Sequence, residues 1–326
     1  MKIAVYAIAR DEAKFAERWY ASMKEADAVF VLDTGSRDGT PYIMRKLGAT
    51  VAVHINEPFR FDRARNASLA LVPHDFDWCI CTDIDEVFQP GWRAKVEAAA
   101  AKNPACNSMI CDFVTAFDDK GEPVYQMDFW KIHRRKCVHW EGLVHEYLVW
   151  DKPRVIERLE GIRLEHHPDP DKPRTQYLPM LEAAVKEERS PRTLFYYGRE
   201  LMFYNRFAAA VAVFGEYLAH PCSTWNAERA WAMRYIARCV ADGGDFDLAG
   251  YWYAKAAVEA PDQRESLVEL ARMCAGVGDY DSAVRALEIA LTRKVRPTIF
   301  FTDSDCWDGT PERLLAEYKQ KQGGTK

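Results

Sequence analysis

The sequence predicts an α/β domain with a mostly parallel sheet, followed by an all-α domain of helical repeats. Three observations lead there. Strand-like and helix-like segments alternate through the first third of the chain. Beyond about residue 190, bulky and small residues recur in a fixed register. The length, 326 residues, suits two domains better than one core. The first domain is expected to span residues 1–175 and the second 176–326.

Taken in order, Ile3 to Ile8 is an apolar run rich enough for a strand buried on both faces. Asp11 to Lys24 reads as an amphipathic helix, with Phe15, Trp19 and Met23 four apart on one side. Ala28 to Leu32 is a second strand, ending at Asp33-Thr34-Gly35-Ser36. Thr40 suits an N-cap and Pro41 the first helical position of a helix running to Leu47. Thr50 to Ile55 is a third strand, Ala64 to Leu71 a helix, and Trp78 to Thr82 a fourth strand. Ligands of such sheets bind beyond the carboxyl ends of the strands. Arg10-Asp11, Asp33 and Asp83 follow three of those ends and should converge on one edge. Further on, His139 to Tyr147 alternates like a strand, with Trp140, Gly142, Val144 and Glu146 sharing a face. Ile162 to His167 is a strand ending in two histidines, and Pro168 to Pro173 reads as a connection near the domain boundary.

Phe207, Phe246 and Tyr280 set the register of the second domain. Three residues after each comes an alanine (Ala210, Ala249, Ala283), and seven after each a bulky residue (Phe214, Tyr253, Leu287). Nine before each is a small one (Gly198, Ala237, Ala271), and prolines 221, 261 and 297 close the units. The small residue lets two helices approach closely, and the aromatic fills the gap between neighbouring pairs. The pattern resembles tetratricopeptide repeats, which implies a surface able to hold a protein segment or a second copy of the chain. Thr310 to Tyr318 is expected to close the array as a final helix.

With 48% hydrophobic and 29% charged residues, the composition is that of a globular protein. Neither an apolar run of membrane-spanning length nor a secretory leader is expected, so the reading is cytoplasmic. Nine cysteines, an odd number lying mostly in apolar segments, read as reduced core thiols. A net charge of −5 argues against a large nucleic-acid footprint. A dinucleotide-binding oxidoreductase is disfavoured too: Ala7-Ile8-Ala9-Arg10-Asp11 stands where its glycine-rich turn would be, and the lone Gly276-Val277-Gly278 lies in the repeats.

Asp83-Ile84-Asp85 is the central chemical feature. Alternate side chains at a strand end share a face, so Asp83 and Asp85 can address one hard cation, Mg²⁺ or Mn²⁺. Such an ion would act as a Lewis acid on a diphosphate leaving group. Four motifs stand in order: Ile8-Ala9-Arg10-Asp11-Glu12, Asp33-Thr34-Gly35-Ser36-Arg37-Asp38-Gly39-Thr40, Ala64-Arg65-Asn66 and Asp83-Ile84-Asp85. Over about residues 1–170 this order resembles family 2 glycosyltransferases, inverting enzymes of the GT-A fold.

The resemblance implies a nucleoside-diphosphate sugar donor, UDP-sugar first. It implies nucleotide contacts from Ala9, Arg10, Asp33 and Arg65, ribose or metal contact from Asp83, and metal ligation by Asp85. Asp11 departs from the pattern, since many relatives have Asn there. A glycine-containing loop followed by an acid implies a general base, Glu146 first and Glu141 second, with His145 orienting the acceptor or binding phosphate or metal. A late histidine often completes the metal site in such enzymes, which points to His166 and then His167. Arg134-Arg135-Lys136 offers charge for diphosphate or an acidic acceptor, and Met127, Phe129 and Trp130 a candidate acceptor wall. The acceptor class stays open between peptide or protein and saccharide, with modified DNA ranked last on charge, and a homodimer through the repeats is expected. The competing reading is a repeat-domain adaptor whose first domain binds a nucleotide sugar without turnover.

Overall fold

In the computed structural model the chain divides into two compact units, Met1–Arg174 and Thr175–Lys326. Residues 1–117, 121, 123–169, 177–297 and 302–323 are described, with backbone only at 124–126. From residue 170 onward the expected Pro168–Pro173 connection lies outside them.

The first unit runs β1 (Ile3–Ala9), α1 (Ala13–Met23), β2 (Ala28–Asp33), α2 (Thr40–Leu47), β3 (Thr50–Val53), α3 (Phe61–Ala70) and β4 (Trp78–Cys81). It continues with β5 (Glu86–Phe88), α4 (Trp92–Lys102), β6 (Ser108–Phe117), β7 (Pro123–Arg134), β8 (Val138–Glu141), β9 (Tyr147–Trp150) and β10 (Ile156–His166). Eight strands form one sheet in the order β3-β2-β1-β4-β7-β6-β10-β5. Strand β1 pairs in parallel with β2 and β4, β2 with β3, and β6 with β10. Only β7 and β5 run against their neighbours. Because β7 is antiparallel to both β4 and β6, the carboxyl ends of β1, β2, β4, β6 and β10 all reach the same edge. That edge carries the candidate site.

Strand β1 is apolar throughout because each face meets a different layer. Ile3 and Val5 pack with Trp19, Met23 and Trp92 on one side, while Ala4 and Tyr6 pack with Leu69, Trp140 and Leu148 on the other. Each such fully buried large side chain contributes roughly 1.5–3 kcal/mol, and the β-branched Ile3 and Val5 suit an extended backbone. Several expected details differ. Thr40 is the first helical residue of α2 rather than its cap; Gly39, at φ 88°, holds the cap position. Asp38 accepts the Thr40 amide at 3.0 Å, and the Thr40 hydroxyl accepts the Glu12 amide at 2.8 Å at the entry to α1. The run from His139 to Tyr147 is not one strand. It is a two-stranded hairpin, β8 with β9, turned by residues 142–146. Gly142 sits at φ 100°, where a Cβ would meet the Glu146 Cα at 3.3 Å, so the alternation is broken by backbone geometry.

The second unit is helical: α5 (Tyr177–Glu187), α6 (Pro191–Phe203), α7 (Phe207–Ala219), α8 (Asn226–Asp242), α9 (Phe246–Glu259), α10 (Glu265–Gly276), α11 (Tyr280–Ala290) and α12 (Thr310–Gly323). Phe207, Phe246 and Tyr280 are the first residues of α7, α9 and α11, so the register marks the second helix of each pair. Ala210, Ala249 and Ala283 are buried, as are Phe214, Tyr253 and Leu287. At Gly198 a Cβ would meet the Phe214 ring at 2.9 Å, which is why a glycine stands where α6 crosses α7. Phe246 departs from expectation, being 44% exposed rather than filling a gap. Helix α12 closes the last pair, with Tyr318 against Tyr280 at 6.0 Å. All nine cysteines are free, and most are buried. Among the described residues no helix is long and apolar enough to cross a membrane.

Candidate functional site

Two loops and one helix meet at the strand edge. Ala9, the last residue of β1, pairs with Asp33 at the end of β2. The Asp33 carboxylate accepts the amides of Gly35 and Ser36, both at 3.0 Å, and so shapes its own turn. It is only 1% exposed. Asp11, at φ 56°, ties the two loops together: its amide donates to the Ser36 hydroxyl and its carboxylate accepts the Arg37 amide. Arg10 beside it is exposed.

Arg65 on α3 is the hub. Its Nε donates to Glu146 Oε1 at 2.9 Å, its Nη1 to the Cys81 sulfur at 3.4 Å, and its Nη2 to Asp83 Oδ1. The Trp140 ring lies 5.6 Å from its guanidinium. Burial works against the Arg65 charge, but Asp83 and Glu146 outweigh it and raise its pKa further. The hairpin is locked to α3 by Asn66, which exchanges two hydrogen bonds with the Trp140 backbone at 2.8 and 2.9 Å. Trp140 is in turn fixed by a buried chain. His133 Nδ1 faces the Arg134 carbonyl and therefore carries the proton. The Tyr6 hydroxyl then donates to His133 Nε2 at 2.8 Å and accepts from Trp140 Nε1 at 2.9 Å.

Asp83 lies beyond β4, and its second oxygen accepts from Lys131 Nζ at 3.1 Å. Burial alone would raise its pKa, yet Arg65 and Lys131 hold it well below the carboxylate range. Glu86, 2% exposed, accepts the Asp83 amide at 2.8 Å and lies 3.7 Å from Lys131. Burial, only partly offset by Lys131, pushes its pKa up to about 7. Asp85 turns to a different partner: its Oδ2 is 3.2 Å from His166 Nε2, and its carbonyl accepts the His167 amide at 2.9 Å. Burial disfavours a charged His166, but Asp85 outweighs this and raises its pKa.

The residues expected to act together therefore form two adjoining groups. Arg65, Asp83 and Glu146 are brought into contact, with Lys131 added; Asp85 and His166 form a separate pair. Asp83, Asp85 and His166 do not close on one point, and among the described residues no three His, Cys, Asp or Glu side chains gather to hold a metal ion. Asp85 and His166 would offer a divalent cation one carboxylate and one imidazole, the remaining positions falling to water and phosphate oxygens. Asp83 is occupied by its two cations. Glu141 stands apart on the exposed face of the hairpin, 3.0 Å from His139 Nε2 and 3.4 Å from the Tyr147 hydroxyl. His145 is in the turn at φ 55°. His167 pairs with Glu165 at 3.2 Å and stacks on Phe117.

Arg134-Arg135-Lys136 falls at the wrong end of the sheet for a diphosphate role. Arg134 pairs in register with Trp78, where β4 begins, and Arg135 donates to the Val72 carbonyl. Phe129 is core, and Trp130 stacks on Arg154 at 4.4 Å. Lys131 is the site residue that sequence reasoning missed. It sits inside β7 with no turn or motif beside it, and only the strand order brings it next to Asp83.

Residues 5–151 match the model of glycosyl transferase family 2, and the first unit is a family 2 glycosyltransferase domain. Among curated proteins, a TPR repeat-containing protein of Synechococcus elongatus is 40% identical over 86 residues. The match covers 26% of this chain, and the chain spans about a fifth (21%) of that relative's length. Solved structures similar to the chain include MamA, at TM-score 0.35 and 13% identity, covering 45% of this chain and 72% of that one. PilW, a type IV pilus biogenesis factor, is similar at TM-score 0.34 and 21% identity, covering 44% and 66%.

Proposed function

We propose that the first unit transfers a sugar from a nucleoside-diphosphate sugar, UDP-sugar first, to an acceptor hydroxyl with inversion, and that the transfer depends on a divalent cation. The observation that carries this reading is the Asp85–His166 pair at 3.2 Å, set beside the cationic pair Arg65 and Lys131 on the strand edge of a family 2 glycosyltransferase domain. Asp85 and His166 would hold Mn²⁺ or Mg²⁺, which when bound supplies positive charge to the departing diphosphate.

The remaining work falls to the chain's own residues. Lys131 and Arg65 hold Asp83 ionised and fixed at the place where the nucleotide's ribose is expected. Arg65 fixes one oxygen of Glu146, and Oε2 makes no hydrogen bond among the described residues. That oxygen accepts the acceptor's hydroxyl proton as the new C1–O bond forms. The bond from C1 to the diphosphate breaks on the opposite face, and the nucleotide leaves with the electron pair. Glu141 is the weaker candidate because it faces His139 and Tyr147 on the outer surface.

The test is release of nucleotide from a panel of nucleotide sugars with and without Mn²⁺. Metal-dependent release from at least one donor, lost in Asp85→Ala, is the expected result. No release from any donor would favour the adaptor reading instead.

A further inference from the structure

A cleft of about 670 Å³ opens beside the Asp85–His166 pair, within the size range of small-molecule sites. Its walls come from the first turns of α1 (Lys14, Phe15, Arg18), the end of β6 (Phe117) and the end of β10 (His166, His167). Sheet order fixes where it stands. Residues expected at the nucleotide (Ala9, Arg10, Asp33) follow β1 and β2, Asp83 and Asp85 follow β4, and the cleft lies further along the same edge past β7. His166 belongs to both the cleft and the Asp85 pair. A ligand seated there would meet the transferred sugar from the side away from the nucleotide.

The chemistry of the walls says what that ligand carries. Among the described residues, no acidic side chain lines the cleft. Lys14 is neutralised by Asp169 at 2.5 Å, His167 faces Glu165 and His166 faces Asp85. Arg18 is different: it is exposed, its guanidinium lies 5.2 Å from the Phe15 ring, and no described carboxylate pairs with it. An arginine steadied by an aromatic face and left without an anion is suited to bidentate recognition of a phosphate or carboxylate. The Phe117 and His167 rings, 5.4 Å apart and within 3° of parallel, add a flat wall against which a sugar ring can lie.

We propose that this cleft is an acceptor subsite for an anionic saccharide, a sugar ring bearing phosphate or carboxylate, with Arg18 as the residue that reads the charge. The proposal rests on the transfer reading only for the word acceptor; the anion site itself stands on the cleft.

Calorimetry on the full chain tests it, with glucose 6-phosphate, glucuronate, neutral glucose and inorganic phosphate as probes. At least one charged sugar should bind about tenfold more tightly than glucose and than inorganic phosphate, and whichever does identifies the charged group. Arg18→Ala should cost that sugar about tenfold and Arg18→Glu more, because one charge-assisted contact is removed or reversed. Equal binding of charged and neutral sugars, or charged-sugar binding unchanged in both variants, would overturn the proposal. UDP affinity, titrated separately on wild type, reads the donor side. Arg18-dependent sugar binding without any UDP binding would sink the transfer reading and leave the anion site standing.

Discussion

Glu146 and Asp83 share one guanidinium, and that arrangement gives the residue-scale predictions. Glu146→Gln keeps a neutral oxygen for Arg65 but removes the charge that draws a proton. We expect nucleotide binding to persist and transfer to slow at least ~100-fold; an unchanged rate would move the base elsewhere. Arg65→Ala leaves Glu146 unpaired and Asp83 with Lys131 alone, which should lower stability by about 2 kcal/mol and reduce the melting temperature. At this scale the sequence was readable where the residues stand in a family motif. Arg65, Asp83 and Glu146 were named from short patterns, and the structure joins them. Lys131 and the burial of Glu86 were not readable, because both depend on which strands become neighbours.

Elements were legible where one period governs them and obscured where a turn interrupts it. Strand β1 and helix α1 follow directly from apolar spacing. The stretch from His139 to Tyr147 kept a strand's alternation across a turn, and only the left-handed φ at Gly142 and His145 reveals the hairpin. The hairpin's anchor is the Tyr6–His133–Trp140 chain, and it carries a pH signature. Burial pushes His133 down to about 4 from its ordinary 6.5. Between those values the unfolded chain binds a proton that the folded chain refuses. The stabilisation is therefore full above pH 6.5 and is lost as pH falls toward 4. Its size is on the order of 3 kcal/mol. Denaturation midpoints measured across this window should fall with acid, and His133→Gln should flatten the slope; an equally steep slope in the variant would refute the assignment. In the second unit, Gly198→Val would drive a side chain into the fully buried Phe214 and should cost about 1–3 kcal/mol, read as a lower melting temperature.

For the whole molecule, each unit holds its own buried clusters. The sheet layers lie within residues 1–174, and the helical clusters begin at Leu178. The repeats were visible in the sequence because three helix pairs place small and bulky residues at equal offsets, a signal that needs no tertiary knowledge. Every proposed donor-site residue lies in the first unit, so residues 1–174 expressed alone should bind UDP as the full chain does. The most direct measurement is the affinity of the full chain for UDP with Mn²⁺ and with chelator. Binding should be at least tenfold tighter with the metal, and that gain should be lost in Asp85→Ala and His166→Ala. Equal affinity under both conditions, or a metal effect untouched by those substitutions, would contradict it.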